Sequence, residues 1–219
     1  MGMAGTRTRM PAIDRYIALA LQPDVEGLAA LVDDTVAEHG TLACYDALIR
    51  PALVEVGARW ERDELTVGDE HLITSMTEQV LAGLSQRHAG SPHVAVAACT
   101  PGNRHRVGLL MIADALGLAG WQPVVLGAET PLRDLGHVAR DRGAAVIALS
   151  LGLDEELADL PAVLETLRAE VGDHVRILVG GGPLARTAWD PPTGVEMCSS
   201  ATEAHAAGSL LLGRLHSHA

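Results

Sequence analysis

The second half of the chain alternates two kinds of segment, and that alternation limits the fold more than any other feature. The runs "VAVAAC" (94–99), "QPVVLG" (122–127), "AAVIALSL" (144–151), "VRILVGG" (175–181) and "VEMCSS" (195–200) are short and almost continuously apolar. A strand with one wet face would alternate apolar with polar residues, so these read as strands covered on both faces. Helical stretches near 106–118, 131–142, 155–170 and 201–214 lie between them. Strand and helix in rotation give an α/β fold: a five-stranded parallel sheet, doubly wound, of the flavodoxin-like (Rossmann-like) kind. Ligands of such sheets bind at the carboxyl ends of the strands, and that is where this sequence keeps its Gly-rich turns.

The preceding residues follow a helical period instead. Ala12, Tyr16 and Leu19 mark a first helix, and Val25, Leu28, Ala29, Val32 and Val36 a second, stopped by Gly40. Leu42, Tyr45, Leu48, Ile49, Leu53, Val54 and Gly57 carry a third to Trp60, with Pro51 expected to kink or divide it. A fourth runs from about Gly68 through Ile73, Met76 and Val80 to Leu84. Four helices with short connections and no strand between them form a bundle. The expected organisation is a flexible N-terminus (1–10), a four-helix bundle (11–90) and an α/β domain (91–219).

Composition narrows the class. Aromatics are only 2% and Phe is absent, so Leu, Val, Ile, Ala and Met must build the core. A net charge of −12, with no block of Lys or Arg, excludes a phosphate-tracking surface and therefore direct nucleic-acid binding. Cys44, Cys99 and Cys198 form no CxxC pair and fit reduced cytoplasmic thiols. "MGMAGTRTRMPAIDRY" has no apolar core of a signal peptide, and no run reaches the roughly 18 apolar residues of a membrane span. The expected setting is cytoplasmic, with no membrane.

One turn carries chemistry. In "TPGNRHRVGLL" (100–110), Asn103, His105 and Gly108 come straight after the first strand and open the first helix of the sheet. The spacing is not a dinucleotide fingerprint. A neutral imidazole at the sheet's mouth is a good ligand for a transition metal, and its other ring nitrogen needs an acceptor, a place Asn103 could fill. The alternative is an ordinary turn with an exposed His. Ser150, followed by Gly152, ends the third strand, and Gly180, Gly181 and Gly182 end the fourth, where absent side chains let a bulky ligand approach the backbone. All three features fall on one edge of one sheet.

"NRHRVG", Ser150 and "GGG" together resemble the signature of the cobalamin-binding domain, D-x-H-x-x-G…S-x-L…G-G. The resemblance covers nearly the whole chain, bundle included. It implies cobalamin as cofactor, His105 as lower axial cobalt ligand, Asn103 as the partner that orients the His105 ring, and Ser150, Gly180 and Gly181 as the slot for the displaced nucleotide tail. Two positions depart from the signature. Asn103 stands where the family has an acid, which implies a less electron-rich histidine. Gly152 stands where it has Leu, a change expected to alter packing only.

The bundle resembles one branch of that family. "WERDELTVGDEH" carries Trp60, then after nine residues Glu70 and His71, a pattern similar to the cobalamin photoreceptors that regulate carotenoid genes. The resemblance implies that Trp60, Val67, Glu70 and His71 cap the upper face of adenosylcobalamin, over its photolabile cobalt–carbon bond. The bland alternative makes Trp60 a core residue and Glu70-His71 a helix start. Glu61 follows Trp60 where the best-known photoregulators have a His, so no second histidine is offered to cobalt there. No DNA-reading helix-turn-helix precedes the bundle, which implies a stand-alone sensor, similar to the photocobilins that also bind a bilin such as biliverdin. Composition gives no positive sign of a bilin pocket.

The resulting expectation is a light sensor. Photolysis of the upper ligand shifts bundle against sheet and signals to a protein effector or a homo-oligomer, with no catalytic residue required. The alternative is a corrinoid methyl carrier serving separate methyltransferases, for which the upper face must stay open. His88 and His93 beside the linker read as solvated, His205, His216 and His218 as an exposed C-terminal helix, and "DEELADLPAVLETLRAE" as a solvated helix face.

Overall fold

The computed structural model describes residues 11–84 and 91–217. The expected flexible segment 1–10, His88 and His218 lie outside the described residues. The chain divides into two compact units, Met1–Gly83 and Leu84–Ala219.

The first unit is helical: α1 (Ala12–Leu21), α2 (Val25–His39), α3 (Thr41–Cys44), a wide π turn (Tyr45–Ile49), α4 (Arg50–Glu61) and α5 (Val67–Leu84). Pro51 neither breaks nor divides the third element; the π turn passes directly into α4. Proline has no N–H to donate, and its ring strikes the carbonyl four residues back in a regular helix. A π turn at that place widens the helix and relieves both conflicts. Tyr16, Leu28, Ile49, Ile73 and Leu81 are fully buried and form the centre of the unit. Inside it the Tyr16 hydroxyl donates to Thr77 Oγ1 at 2.9 Å, and the Thr77 hydroxyl donates to the Ile73 carbonyl at 2.8 Å. Burial pushes the Tyr16 phenol up to about 12. The start of α5 is held reciprocally: Thr66 Oγ1 accepts from the Asp69 N–H (3.1 Å), while Asp69 Oδ2 accepts from the Thr66 N–H (2.8 Å). The Thr66 hydroxyl and N–H hold the Asp69 carboxyl below its usual range.

The second unit is the doubly wound sheet, β1 (Val94–Cys99), β2 (Gln122–Gly127), β3 (Val146–Leu151), β4 (Arg176–Gly181) and β5 (Val195–Cys198), in the order β2-β1-β3-β4-β5 and parallel throughout. Helices α6 (Arg106–Leu118), α7 (Leu132–Asp141), α8 (Glu156–Val171) and α10 (Ala201–His216) are the expected ones. A short α9 (Gly182–Arg186) follows β4 directly and was not expected, because five residues hold too little of a helical period to show in sequence. Val96, Ile147, Leu149, Ile177 and Val179 on the sheet meet Leu135, Leu160, Leu164 and Leu167 of α7 and α8 in one core. Each such side chain contributes about 1.5–3 kcal/mol by leaving water.

One strand differs from the expected two-sided burial. β2 is an edge and only partly covered, with Val125 39% exposed. That position explains Pro123, since a proline lacks the N–H a central strand must donate on both sides. Against the other face, Trp121 is fully buried and its Nε1–H donates to the Gly208 carbonyl at 2.9 Å. Gly208 is required there, because a Cβ would stand 2.8 Å from Leu116 Cδ2 and 3.3 Å from Trp121 Nε1. His93, expected to be solvated, is half-buried with its ring edge-on to Trp121. Among the described residues no helix is long and apolar enough to cross a membrane.

Tyr16 gives a test of the helical core. Tyr16→Phe removes one buried hydrogen bond while Thr77 keeps its carbonyl, so urea unfolding should show a loss of about 1 kcal/mol. The raised phenol also makes stability fall as pH rises from 10 toward about 12, because only the unfolded tyrosine ionises in that window. The Phe variant should lose that part of the alkaline decline.

Candidate functional site

The sheet register builds the site. Cys99 pairs with Ser150, Ser150 with Gly180, and Gly180 with Cys198, so one row crosses β1, β3, β4 and β5 at their carboxyl ends. β1 and β3 are neighbours whose connections leave in opposite directions, the switch point where doubly wound sheets bind ligands.

The Ser150 carbonyl anchors the turn after β1. It accepts from the Thr100 N–H (3.1 Å), the Thr100 hydroxyl (3.2 Å) and the Asn103 Nδ2–H (2.8 Å). Asn103 is fully buried, and its Oδ1 accepts from the backbone N–H of His105 at 2.7 Å. This corrects the expectation that Asn103 serves the His105 ring. A short amide side chain readily closes a turn onto the N–H two residues ahead, and that bond fixes His105 through its backbone. His105 is the extended residue that begins α6 (φ −82°, ψ 93°), and its imidazole is exposed at the mouth of the sheet.

Gly152 does more than alter packing. A Cβ there would stand 2.6 Å from Asn103 Oδ1 and 3.0 Å from His105 Cδ2. The missing side chain is therefore the room in which the Asn103 amide and the His105 ring lie. At Gly108 a Cβ would come 3.2 Å from Ser150 Oγ, so this glycine keeps the first turn of α6 off the hydroxyl. The glycines of β4 answer first to the sheet itself. Gly181 has φ 135°, and a Cβ on it would fall 2.0 Å from the Leu151 carbonyl oxygen; one on Gly180 would fall 2.9 Å from that of Cys198. Backbone crowding already requires both.

Sequence reasoning missed Glu156. Read as part of a solvated face, it instead turns back over the strand ends. Its carboxylate accepts from the Thr100 hydroxyl, from the Gly152 N–H (3.2 Å) and from the Leu153 N–H (2.9 Å). It thus locks the loop that backs His105 to the turn that carries it. An acid in the first turn of a helix that follows a strand-ending glycine was the available signal.

In the helical unit, Trp60 is 48% and Val67 53% exposed, so Trp60 is not a core residue. Glu70 and His71 open α5 as a pair: His71 Nδ1 lies 2.6 Å from Glu70 Oε2, and the Thr74 hydroxyl donates to Glu70 Oε1 at 2.9 Å. Glu61 is exposed. Burial pushes the Cys44 thiol up to about 11 and the Cys198 thiol up to about 12, so neither offers a thiolate at neutral pH.

A doubly wound sheet with a histidine-bearing first turn, a serine at the switch point and a helical unit ahead of it defines a class of cofactor-binding module. The family model described as B12 binding domain matches residues 93–206, and a second of the same description matches 12–84. The chain belongs to the B12-binding domain family. It is 31% identical over 161 residues to the HTH-type transcriptional repressor CarH of Myxococcus xanthus, covering 72% of this chain and 53% of that protein. The repressor CarA of the same organism is 33% identical, with 64% and 48% covered. The chain therefore spans about half the length of these regulators. The dimethylamine corrinoid protein of Methanosarcina barkeri is 30% identical, with 72% of this chain and 77% of that protein covered. In fold, the chain superposes on the monomethylamine corrinoid protein of Methanosarcina barkeri with a TM-score of 0.70 at 17% identity, covering 91% and 98% of the two chains.

Restoring the acid of the family signature tests the turn. Asn103→Asp cannot donate to the Ser150 carbonyl and sets a carboxylate against it in a fully buried place. It should destabilise the α/β unit by about 1–3 kcal/mol. Burial and the facing carbonyl raise the new acid above its unfolded value, so the penalty relative to wild type should grow from about pH 4 to pH 7 in parallel urea titrations.

Proposed function

We propose that the chain is a cobalamin-binding light sensor, with adenosylcobalamin as the form it reads. The residues fit the group. An exposed imidazole stands at the switch point over a glycine that leaves it room, and a serine hydroxyl lies beside a gap that a side chain at Gly108 would fill. His105 would offer its ring nitrogen to cobalt, with Asn103 and Glu156 holding the backbone on either side of it. Ser150, Gly180 and Gly181 would line the slot for the nucleotide tail, and Gly108 would leave room beside the Ser150 hydroxyl. When bound, adenosylcobalamin supplies a cobalt–carbon bond that light breaks.

The observation that carries the sensor reading is the exposure of Trp60 and Val67, with the Glu70–His71 pair one turn beyond Val67 in α5. An exposed large apolar side chain with hydrogen-bonding neighbours suits a ligand that presents both a flat base and a ribose. Glu70 would accept from a ribose hydroxyl, His71 would supply a second polar contact, and Trp60 and Val67 would exclude water from the base. Loss of those contacts removes a ligand that favours one arrangement of the protein over another, which is the requirement for a switch. A protein effector or a second copy of the chain reads the change. Biliverdin is not part of this proposal, and Cys44 and Cys198, whose thiols burial pushes up to about 11 and about 12, supply no reactive thiolate for a thioether.

The likeness to the dimethylamine corrinoid protein supports a second reading, a methyl carrier that presents its corrinoid to a methyltransferase. Absorption spectra of the chain reconstituted with adenosylcobalamin, taken before and after green light with elution volume followed in parallel, separate the two. The sensor should shift its spectrum and its elution together. Failure to bind ends the cobalamin reading, and binding with an elution volume indifferent to light favours the carrier. His105→Ala should lose the spectrum of histidine-ligated cobalt. Trp60→Ala should keep that spectrum but lose the preference for adenosylcobalamin over methylcobalamin.

A further inference from the structure

At the opposite end of the sheet from His105, two other histidines face each other. His93 precedes β1 and His216 lies in the last turn of α10, and their ring centroids are 5.1 Å apart at an interplanar angle of 86°. Two imidazoles bound to one tetrahedral ion, with metal–nitrogen bonds of about 2.0–2.1 Å, have centroids roughly 5.2 Å apart. The two rings thus already stand at the separation that a shared ion requires, and the last side-chain torsion of histidine is broad enough to adjust which ring edge faces the other.

Both backbones are fixed without the rings. The His93 N–H donates to Ser91 Oγ (3.2 Å) and its carbonyl accepts from the Gln122 N–H (2.8 Å). α10 is pinned by the bond from Trp121 to the Gly208 carbonyl and by the close approach at Gly208. His93 is half-buried against Trp121, whose ring centroid is 6.1 Å away, while His216 is exposed, so an ion reaches the pair from solvent. The carboxyl end of α10 carries the negative pole of the helix, and the chain's net charge is −12; both favour a cation.

We propose that His93 and His216 form a binding site for a borderline divalent transition ion such as Zn²⁺, separate from the cobalamin site. Among the described residues no group of three His, Cys, Asp or Glu is placed to hold a metal, so the described chain offers this ion two ligands. Imidazole nitrogens select zinc, copper or nickel over calcium or magnesium. The ion joins the residue just before β1 to the last turn of α10 and so clamps the start of the sheet.

Calorimetric titration of Zn²⁺ into the full chain without cobalamin, at about pH 7.5, tests this. Wild type and His105→Gln should each bind one ion. His93→Gln and His216→Gln should bind it about tenfold or more weakly. Zn²⁺ should also raise the melting temperature of wild type but of neither variant of the pair, as binding to the folded state alone requires. Cu²⁺ should quench the fluorescence of the buried Trp121, and His216→Gln, an exposed substitution that leaves the fold intact, should abolish the quenching. Absence of binding overturns the site, and so does binding that survives both pair substitutions or is lost in His105→Gln.

Discussion

Most of the α/β site hangs on one carbonyl, that of Ser150. Three donors from the turn after β1 converge on it, two from Thr100 and one from Asn103. A carbonyl oxygen at the end of a parallel strand has no further strand partner, and an unpaired buried acceptor is costly. Using it to gather the neighbouring turn satisfies that acceptor and fixes where α6 begins. Because His105 is the residue from which α6 departs, its direction at the mouth follows from a backbone bond on a different strand. Glu156 closes the same circuit from the far side, linking the Thr100 hydroxyl to the N–H groups of Gly152 and Leu153. The His105 imidazole is thus held by its surroundings while its own ring stays exposed.

Much of this was legible in sequence, for reasons that differ by element. Strands β1, β3 and β4 could be read from unbroken apolar runs, because burial on both faces forbids polar interruption. The row of candidate residues was legible as soon as the strand ends were, since parallel register carries Cys99, Ser150 and Gly180 to one edge. What could not be read were events that depend on a partner distant in sequence. Pro51 is locally a helix breaker, and only the wide turn at Tyr45–Ile49 makes it an ordinary member of α4. Glu156 looks like any acid on a solvated helix until Thr100 is seen beside it. His93 adjoins a linker yet packs on Trp121, a residue placed by the next crossover. The role of Asn103 was misread for a subtler reason: its oxygen can reach a ring or a backbone, and only the local turn decides.

Sensor and carrier reuse the same sheet, so what distinguishes them physically is the treatment of the upper ligand. A carrier must present its corrinoid to another protein's active site, whereas a sensor must keep the ligand dry until light acts. Features of the α/β unit are common to both tasks and carry no vote. The helical unit is where they diverge, and its start of α5 is built rigidly: Thr66 and Asp69 cap it and Thr74 braces Glu70.

The two departures from the family signature, Asn103 and Gly152, are not independent. They occupy the same space, since any side chain at 152 would run into the amide at 103. An amide that must both donate to Ser150 and accept from His105 needs the emptiness beside it, and a glycine there leaves an opening that only a flat, two-handed side chain fills well. The constraint runs one way: a side chain at 152 is opposed by the amide at 103, whereas Asn103→Asp, equal in size, meets nothing new at Gly152.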